Sequence, residues 1–363
     1  MARLDPGPFA ADCIKLLSMA LLACPLLAVP VAASGPCWQR PQAQTLEELA
    51  KVAENQQRRA ALSSGAGVVP ASARLALSAG PHMSAYAAGL LVGWGETSKR
   101  PDFSIVSAAG VSALIAPFAF IGADGDQKIA DVFSCEAASL SDMAERAASF
   151  IDRETLEKIA RRHEAGARLM VALPGSAARK ETVWDIGAIA AGRDPKSQRY
   201  IANILLAAVD LTTFIDPATI PMNVGSTIGR NATFRQIGAG EPFLAVEGRA
   251  AQPAASYLIH NGVLFPDEGE AYVAMRSGAG GAPLPRAHVA VVSAYDFFMN
   301  AQATRAQTYI ASPRPHLNIR RAEGFDMSYY RALFLHAYRQ GRMGREWRDT
   351  FPDEDGSRYY GAR

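Results

Sequence analysis

Residues 75–122, LALSAGPHMSAYAAGLLVGWGETSKRPDFSIVSAAGVSALIAPFAFIG, hold two strand–turn–helix units in immediate succession. Residues 75–78 are a short apolar run that stops at a glycine-bearing loop, Ala79-Gly80-Pro81. Residues 84–94 then place Tyr86, Leu90 and Trp94 four apart, on one helical face. Pro101 ends the connection, and residues 103–108 form a second buried strand. A tight turn at Gly110 leads to an apolar helix expected over 112–121, with Pro117 inside it. Strands that alternate with helices need crossovers, so the chain is expected to build a largely parallel sheet covered on both faces.

The rest of the chain continues the alternation. Helices are expected at 141–149, 153–164, 198–209, 286–302 and 328–341, the last ended by Gly341. Strands are expected at 168–173, 182–186, 233–237, 256–260 and 307–310. The glycine-rich residues 278–285 read as a loop. In sheets of this class ligands sit beyond the carboxyl ends of the strands. The turns after Ser78 and Ala108 are therefore the expected functional edge.

Length and charge narrow the class. The 363 residues suffice for one large α/β domain behind an N-terminal segment. A formal charge of +2, with no basic stripe, argues against a nucleic-acid partner. Arg3 and Lys15 precede an uncharged run from Leu16 to Ala33, and Val31, Ala32 and Ala33 are small residues of the kind read at a signal-peptide cleavage site. Residues 1–33 are thus read as a signal, cleaved after Ala33. Processing as a lipoprotein at Cys24, after Leu21, Leu22 and Ala23, is the alternative and would anchor the protein to the cell envelope. The expected location is periplasmic or secreted. Residues 34–71 read as a linker with a helix over 45–62, residues 72–350 as the domain, and residues 351–363 as a polar tail. Cys37 and Cys135 remain in the mature chain, as two thiols or as one bridge.

The order of elements from 75 to 122 resembles the patatin-like phospholipase family, in a bacterial exported branch. LALSAGPHMSAYAAGLLVGW is similar to that family's first strand, oxyanion loop and first helix, and DFSIVSAAGVSALIAPFAFIG to its second strand, nucleophile elbow and following helix. VWDIGAIAA, YLIHNGVLFP and FDMSYYRALFLHAYRQGRMGREW resemble later segments. The resemblance covers about residues 72–350. It implies a three-layer α/β/α fold, a Ser-Asp dyad and hydrolysis of lipid acyl esters.

The residues that should carry this chemistry depart from the family's pattern. Counted back without gaps from residues 113–120, the nucleophile position falls on Gly110, which has no nucleophile. Slipping the comparison by two residues makes Ser112 the fallback nucleophile; Ser112 otherwise reads as the N-cap of a helix beginning near Ala113. The oxyanion-loop positions are Ala79, Gly80 and Pro81, followed by His82, and Pro81 has no N–H to donate. The base position falls on Gly238 by preference, or on Asn261 before Gly262; neither residue is a carboxylate.

Other candidates are weaker. Asp124, Asp126 and Asp131 lack the bidentate Glu of a calcium loop and read as a solvated helix start. Asp185, Asp210 and Asp216 read as caps and turn residues rather than as a base. The six histidines form no metal-binding pair, and neither a cofactor nor a metal is expected. The leading expectation is a patatin-like exported protein that has lost hydrolysis and binds a lipid, an acyl chain, a membrane surface or an unidentified protein partner. The alternatives are an active serine acyl hydrolase using Ser112 and an envelope interaction protein without a ligand.

Overall fold

A computed structural model describes residues 37–38, 73–80, 83–173, 182–209, 254–262, 264, 286–303, 305–314, 317, 319 and 325–351. The expected strand at 233–237, Gly238, Pro81, His82, Asp210, Asp216, the segment 1–33 and the helix at 45–62 lie outside these residues.

The centre is a six-stranded sheet in the order β4-β3-β2-β1-β5-β6. The strands are β1 (Ala73–Leu77), β2 (Phe103–Ala109), β3 (Arg168–Leu173), β4 (Thr182–Asp185), β5 (Ala255–Ile259) and β6 (Gln307–Ala311). All neighbours pair in parallel except β3 and β4, which are antiparallel. Nine α-helices accompany them among the described residues: α1 (Ser84–Gly95), α2 (Ala116–Phe120), α3 (Asp126–Ser134), α4 (Leu140–Ser149), α5 (Arg153–Glu164), α6 (Ile186–Ala191), α7 (Ser197–Val209), α8 (Arg286–Ala303) and α9 (Met327–Met343). The chain is therefore an α/β protein with a mostly parallel central sheet, as the alternation of elements requires.

Register explains why the sheet has two apolar faces. Ala76, Leu258 and Ile310 stand in one row across β1, β5 and β6 and pack against Ala294, Phe297 and Phe298 of α8. Leu77, Ile259 and Ala311 form the adjacent row, and successive side chains of a strand point to opposite faces. That second row belongs to the larger core, with Leu90 and Leu91 of α1 and Leu333 and Phe334 of α9. The outer edge of β6 is closed by the chain after α9: Ile310 and Arg348 exchange backbone hydrogen bonds of 2.8 and 2.9 Å.

Two element expectations need correction. The helix expected over 112–121 is split into a 3-10 turn, Gly110–Leu114, and α2, with Ile115 between them. Pro117 does not lie within a continuous helix; it sits in the first turn of α2, where its missing N–H costs nothing. Gly341 does not end α9. The helix runs on to Met343 and stops at Gly344, whose φ of 68° is the left-handed conformation that glycine adopts freely.

The two cysteines are joined. Cys37 and Cys135 form a disulfide with Cα atoms 5.2 Å apart, which fastens Trp38 beside α3 and α9. Trp38 stands edge-on to Phe334 and Tyr338, with ring centroids 4.9 and 5.1 Å away.

Candidate functional site

β1, β2 and β5 end side by side at the carboxyl edge of the sheet, and the residues just beyond them form one hydrogen-bonded knot. Gly110 follows β2 directly and adopts φ of 55°, a left-handed turn conformation that glycine takes freely. Ala79 lies against it: a Cβ built on Gly110 would stand 2.9 Å from the Ala79 Cβ and 3.2 Å from its Cα. The space into which a side chain at the elbow would project is thus filled by the loop after β1.

Ser112 is fully buried in the 3-10 turn. Its Oγ donates to the Ser78 carbonyl at 2.6 Å and accepts from Asn261 Nδ2 at 2.7 Å. No cap hydrogen bond is made there, so Ser112 is not the N-cap that its place in the sequence predicts. The hydroxyl instead ties the turn after β2 to the end of β1, because its acceptor is Ser78, the residue directly after that strand.

Asn261 is the centre of the knot. Its backbone N–H donates to Ser78 Oγ at 2.7 Å, and its Nδ2 donates to the Ser78 carbonyl at 3.0 Å as well as to Ser112. Its Oδ1 accepts from the Ala87 N–H in the first turn of α1, at 3.1 Å. An amide can supply donors and an acceptor at once, which a carboxylate cannot. Gly80, at φ of 25°, passes so close to the Asn261 backbone that a Cβ would lie 2.7 Å from its carbonyl carbon. Of the predicted positions, the structure brings together Ala79, Gly80, Gly110, Ser112 and Asn261. Gly238 and Pro81 lie outside the described residues.

Among the described residues, no carboxylate accepts from the Ser112 hydroxyl. The hydroxyl proton of Ser112 is directed at a backbone carbonyl, which cannot act as a base at neutral pH. Both hydrogen-bond partners of its Oγ, Ser78 and Asn261, are uncharged.

Two nearby groups carry no signal that periodicity or motif could reveal. His260 is buried beside Asn261, with no partner for Nδ1. Burial pushes its imidazole down to about 4. The neutral ring is the form the fold accepts, so its contribution is complete above the ordinary histidine range near 6.5 and is lost as pH falls toward 4. A drop of this size corresponds to about 3 kcal/mol. Urea titrations between pH 7 and 4 should show this loss, and His260→Leu should flatten the profile.

Glu346 is the second group. It is buried, accepts from Tyr86 Oη at 2.8 Å, and has the half-exposed Arg314 guanidinium 3.9 Å away. Burial and the Glu346 carboxylate hold the Tyr86 phenol well above its usual range. This pair pins the chain after α9 onto α1.

The acidic candidates among the described residues have partners of their own. Asp126 pairs with Arg100 at 2.7 Å and Asp124 with Lys158 at 2.7 Å. Asp131 is not solvated at a helix start; it is buried in α3 and accepts the Trp38 N–H at 2.8 Å. Asp185 caps α6 through the Ala188 N–H at 2.8 Å and lies 3.6 Å from His163. It pairs with Met170 near the start of β3, away from the carboxyl edge. Among the described residues, one group of three side chains has metal-ligand geometry, Cys37, Asp131 and Cys135, and its sulfurs are bonded to each other.

No protein-family model matches the chain, and no curated protein matches it.

Placing a serine at the elbow tests how closed the knot is. Gly110→Ser must tolerate a left-handed φ and displace Ala79, and should lower stability by about 2 to 3 kcal/mol. Adding Ala79→Gly should return about 1 kcal/mol of that loss by opening the contact. Thermal and urea denaturation of the single and double variants checks both values.

Proposed function

We propose that this chain is an exported patatin-like protein that keeps the hydrolase-type scaffold without the hydrolytic reaction, and binds a lipid, an acyl chain or a protein partner. The observation that carries the reading is the filled elbow: Ala79 packs on Gly110 where a nucleophile would stand. Asn261, committed to Ser78, Ser112 and Ala87, supports it by putting an amide rather than a carboxylate beside Ser112. Export is supported by the apolar run from Leu16 to Ala33 and by the Cys37–Cys135 disulfide, a bond that persists in oxidising compartments.

Treatment with a fluorophosphonate probe tests the chemistry. The expected result is no covalent adduct on the native protein. Labelling that Ser112→Ala abolishes would establish an active serine hydrolase in its place. Native mass spectrometry of the purified protein tests the binding half of the proposal. A retained lipid or acyl chain is expected, and its loss on delipidation should be reversible.

A further inference from the structure

We propose that the Cys37–Cys135 bond is a thiol-exchange site, gated by Asp131, at which a dithiol reductant opens a clasp over α9. Cys37 is exposed and Cys135 is half-buried at the end of α3, so an external thiolate reaches the Cys37 sulfur first. The exchange balances simply. The attacking thiolate forms a mixed disulfide with Cys37, and the Cys37–Cys135 bond breaks. Cys135 leaves with the electron pair and takes a proton from water. The second thiol of the reductant then releases Cys37 as a thiol and closes its own disulfide.

Charges around the site set the rate. Arg146 donates to the Val132 and Cys135 carbonyls at 3.3 and 3.4 Å, and Arg331 donates to the Ser134 carbonyl at 2.8 Å. Both cations thus lie beside the turn that carries the leaving sulfur, where positive charge favours a departing thiolate. Glu136 is paired with Arg331, and Asp142 accepts from the Ala138 N–H and the Ser139 hydroxyl in the first turn of α4. Asp131 holds the Trp38 N–H and Gln127 Nε2 on Oδ1, and one of its carboxylate oxygens lies within 4.8 Å of both sulfurs. It repels the incoming thiolate and holds the bond closed against casual reduction.

The clasp has a defined load. Besides the disulfide, residues 37–38 are held by the Trp38 ring on Phe334 and Tyr338, by the Trp38 N–H on Asp131, and by Gln127 Nε2 on the Trp38 carbonyl at 3.2 Å. Opening the bond leaves, among the described residues, these weak contacts to keep Trp38 on α9.

The test uses the oxidised full chain under native conditions with dithiothreitol, followed by alkylation, mass analysis and hydrogen exchange. Both cysteines should become alkylated at least about tenfold faster than β1 exchanges, the mark of a local rather than global opening. Protection across residues 330–338 should then fall while that of β1 is unchanged. Trp38→Ala, with the bond intact, should reproduce the lost protection without reductant. Asp131→Asn keeps an oxygen for the Trp38 N–H but removes the charge, and should speed reduction about fivefold or more. Reduction no faster than global unfolding, unchanged protection of α9 after reduction, or an Asp131→Asn rate equal to the parent's would each overturn the proposal.

Discussion

Replacing Asn261 with leucine is expected to lower stability by about 3 to 4 kcal/mol, since each buried polar group left without a partner costs about 1 to 3 kcal/mol. Leucine keeps the branched shape and leaves no cavity, so the loss reports the hydrogen bonds together with the crowding of its bulkier methyl groups. The Ala87 N–H loses its acceptor, Ser112 Oγ loses its donor, and the Ser78 carbonyl loses one of two donors. Three elements, β1, the 3-10 turn and α1, lose their common tie at once. Asn261→Asp provides the sharper control. It keeps an oxygen for Ala87 but sets a second one about 3 Å from the Ser78 carbonyl, where two acceptors cannot satisfy each other. At pH 7 it should cost about as much as leucine. Urea denaturation of both variants, with circular dichroism as the readout, measures the difference. An aspartate variant as stable as the parent would show that the site accepts a carboxylate, and would reopen the question of a base at this position.

That expectation bears directly on function. On the proposed patatin-like reading, hydrolysis would need a nucleophile held in the turn after β2, with a base beside it. Here the turn is held in a left-handed conformation, at φ of 55°, which glycine adopts freely and which presents no side chain. The neighbouring side chains are then free to close on one another. Ala79 lies in contact with Gly110, and Ser112 and Asn261 are spent on joining the turns that follow β1, β2 and β5. The polar groups at this edge are explained by the fold's own need to satisfy buried donors and acceptors.

How much of this was legible in the sequence depends on where each residue's partners lie. β1, α1 and β2 could be read because each is a local apolar pattern bounded by Gly80, Gly95 and Pro101. Gly110 could be placed at the turn because it directly follows such a run. Ser112 could not be assigned correctly, because a serine before an apolar helix is a good local cap, and its actual partner is Ser78, 34 residues away. Asn261 is harder still. Its contacts at residues 78, 87 and 112 exist only because β5 pairs with β1. The cysteine pair was left open for the same reason: a separation of 98 residues carries no geometry. Gly341 misled because glycine serves both to end helices and to let them approach, and here it does the second.

That approach underlies the largest effect expected of a single substitution. Gly89 and Gly93 of α1 face α9, and Gly341 of α9 faces back. A Cβ built on Gly89 would lie 2.9 Å from both the Phe334 carbonyl carbon and the Tyr338 nitrogen, and closer still to the Phe334 oxygen. A Cβ on Gly341 would lie 2.8 Å from the Trp94 nitrogen. These are backbone atoms, which no rotamer change can clear. Gly89→Val must therefore push the two helices apart along their whole contact. The displacement would also break the Tyr86–Glu346 hydrogen bond and unseat the rings of Phe334 and Tyr338 that receive Trp38. Overpacking alone costs about 1 to 3 kcal/mol, and with these added losses about 4 kcal/mol or more is expected. Against a typical stability of about 5 to 15 kcal/mol, that leaves the variant marginal at 37 °C. Gly192 gives the contrast. It sits at the end of α6 in a right-handed helical conformation, with an added Cβ no nearer than 3.4 Å to its neighbours. Gly192→Ala should change stability by no more than about 1 kcal/mol, and in the stabilising direction, by restricting the unfolded chain. Differential scanning calorimetry of the two variants side by side checks the pair. A Gly89→Val protein that melts within a few degrees of the parent would mean that α1 and α9 do not cross through these glycines.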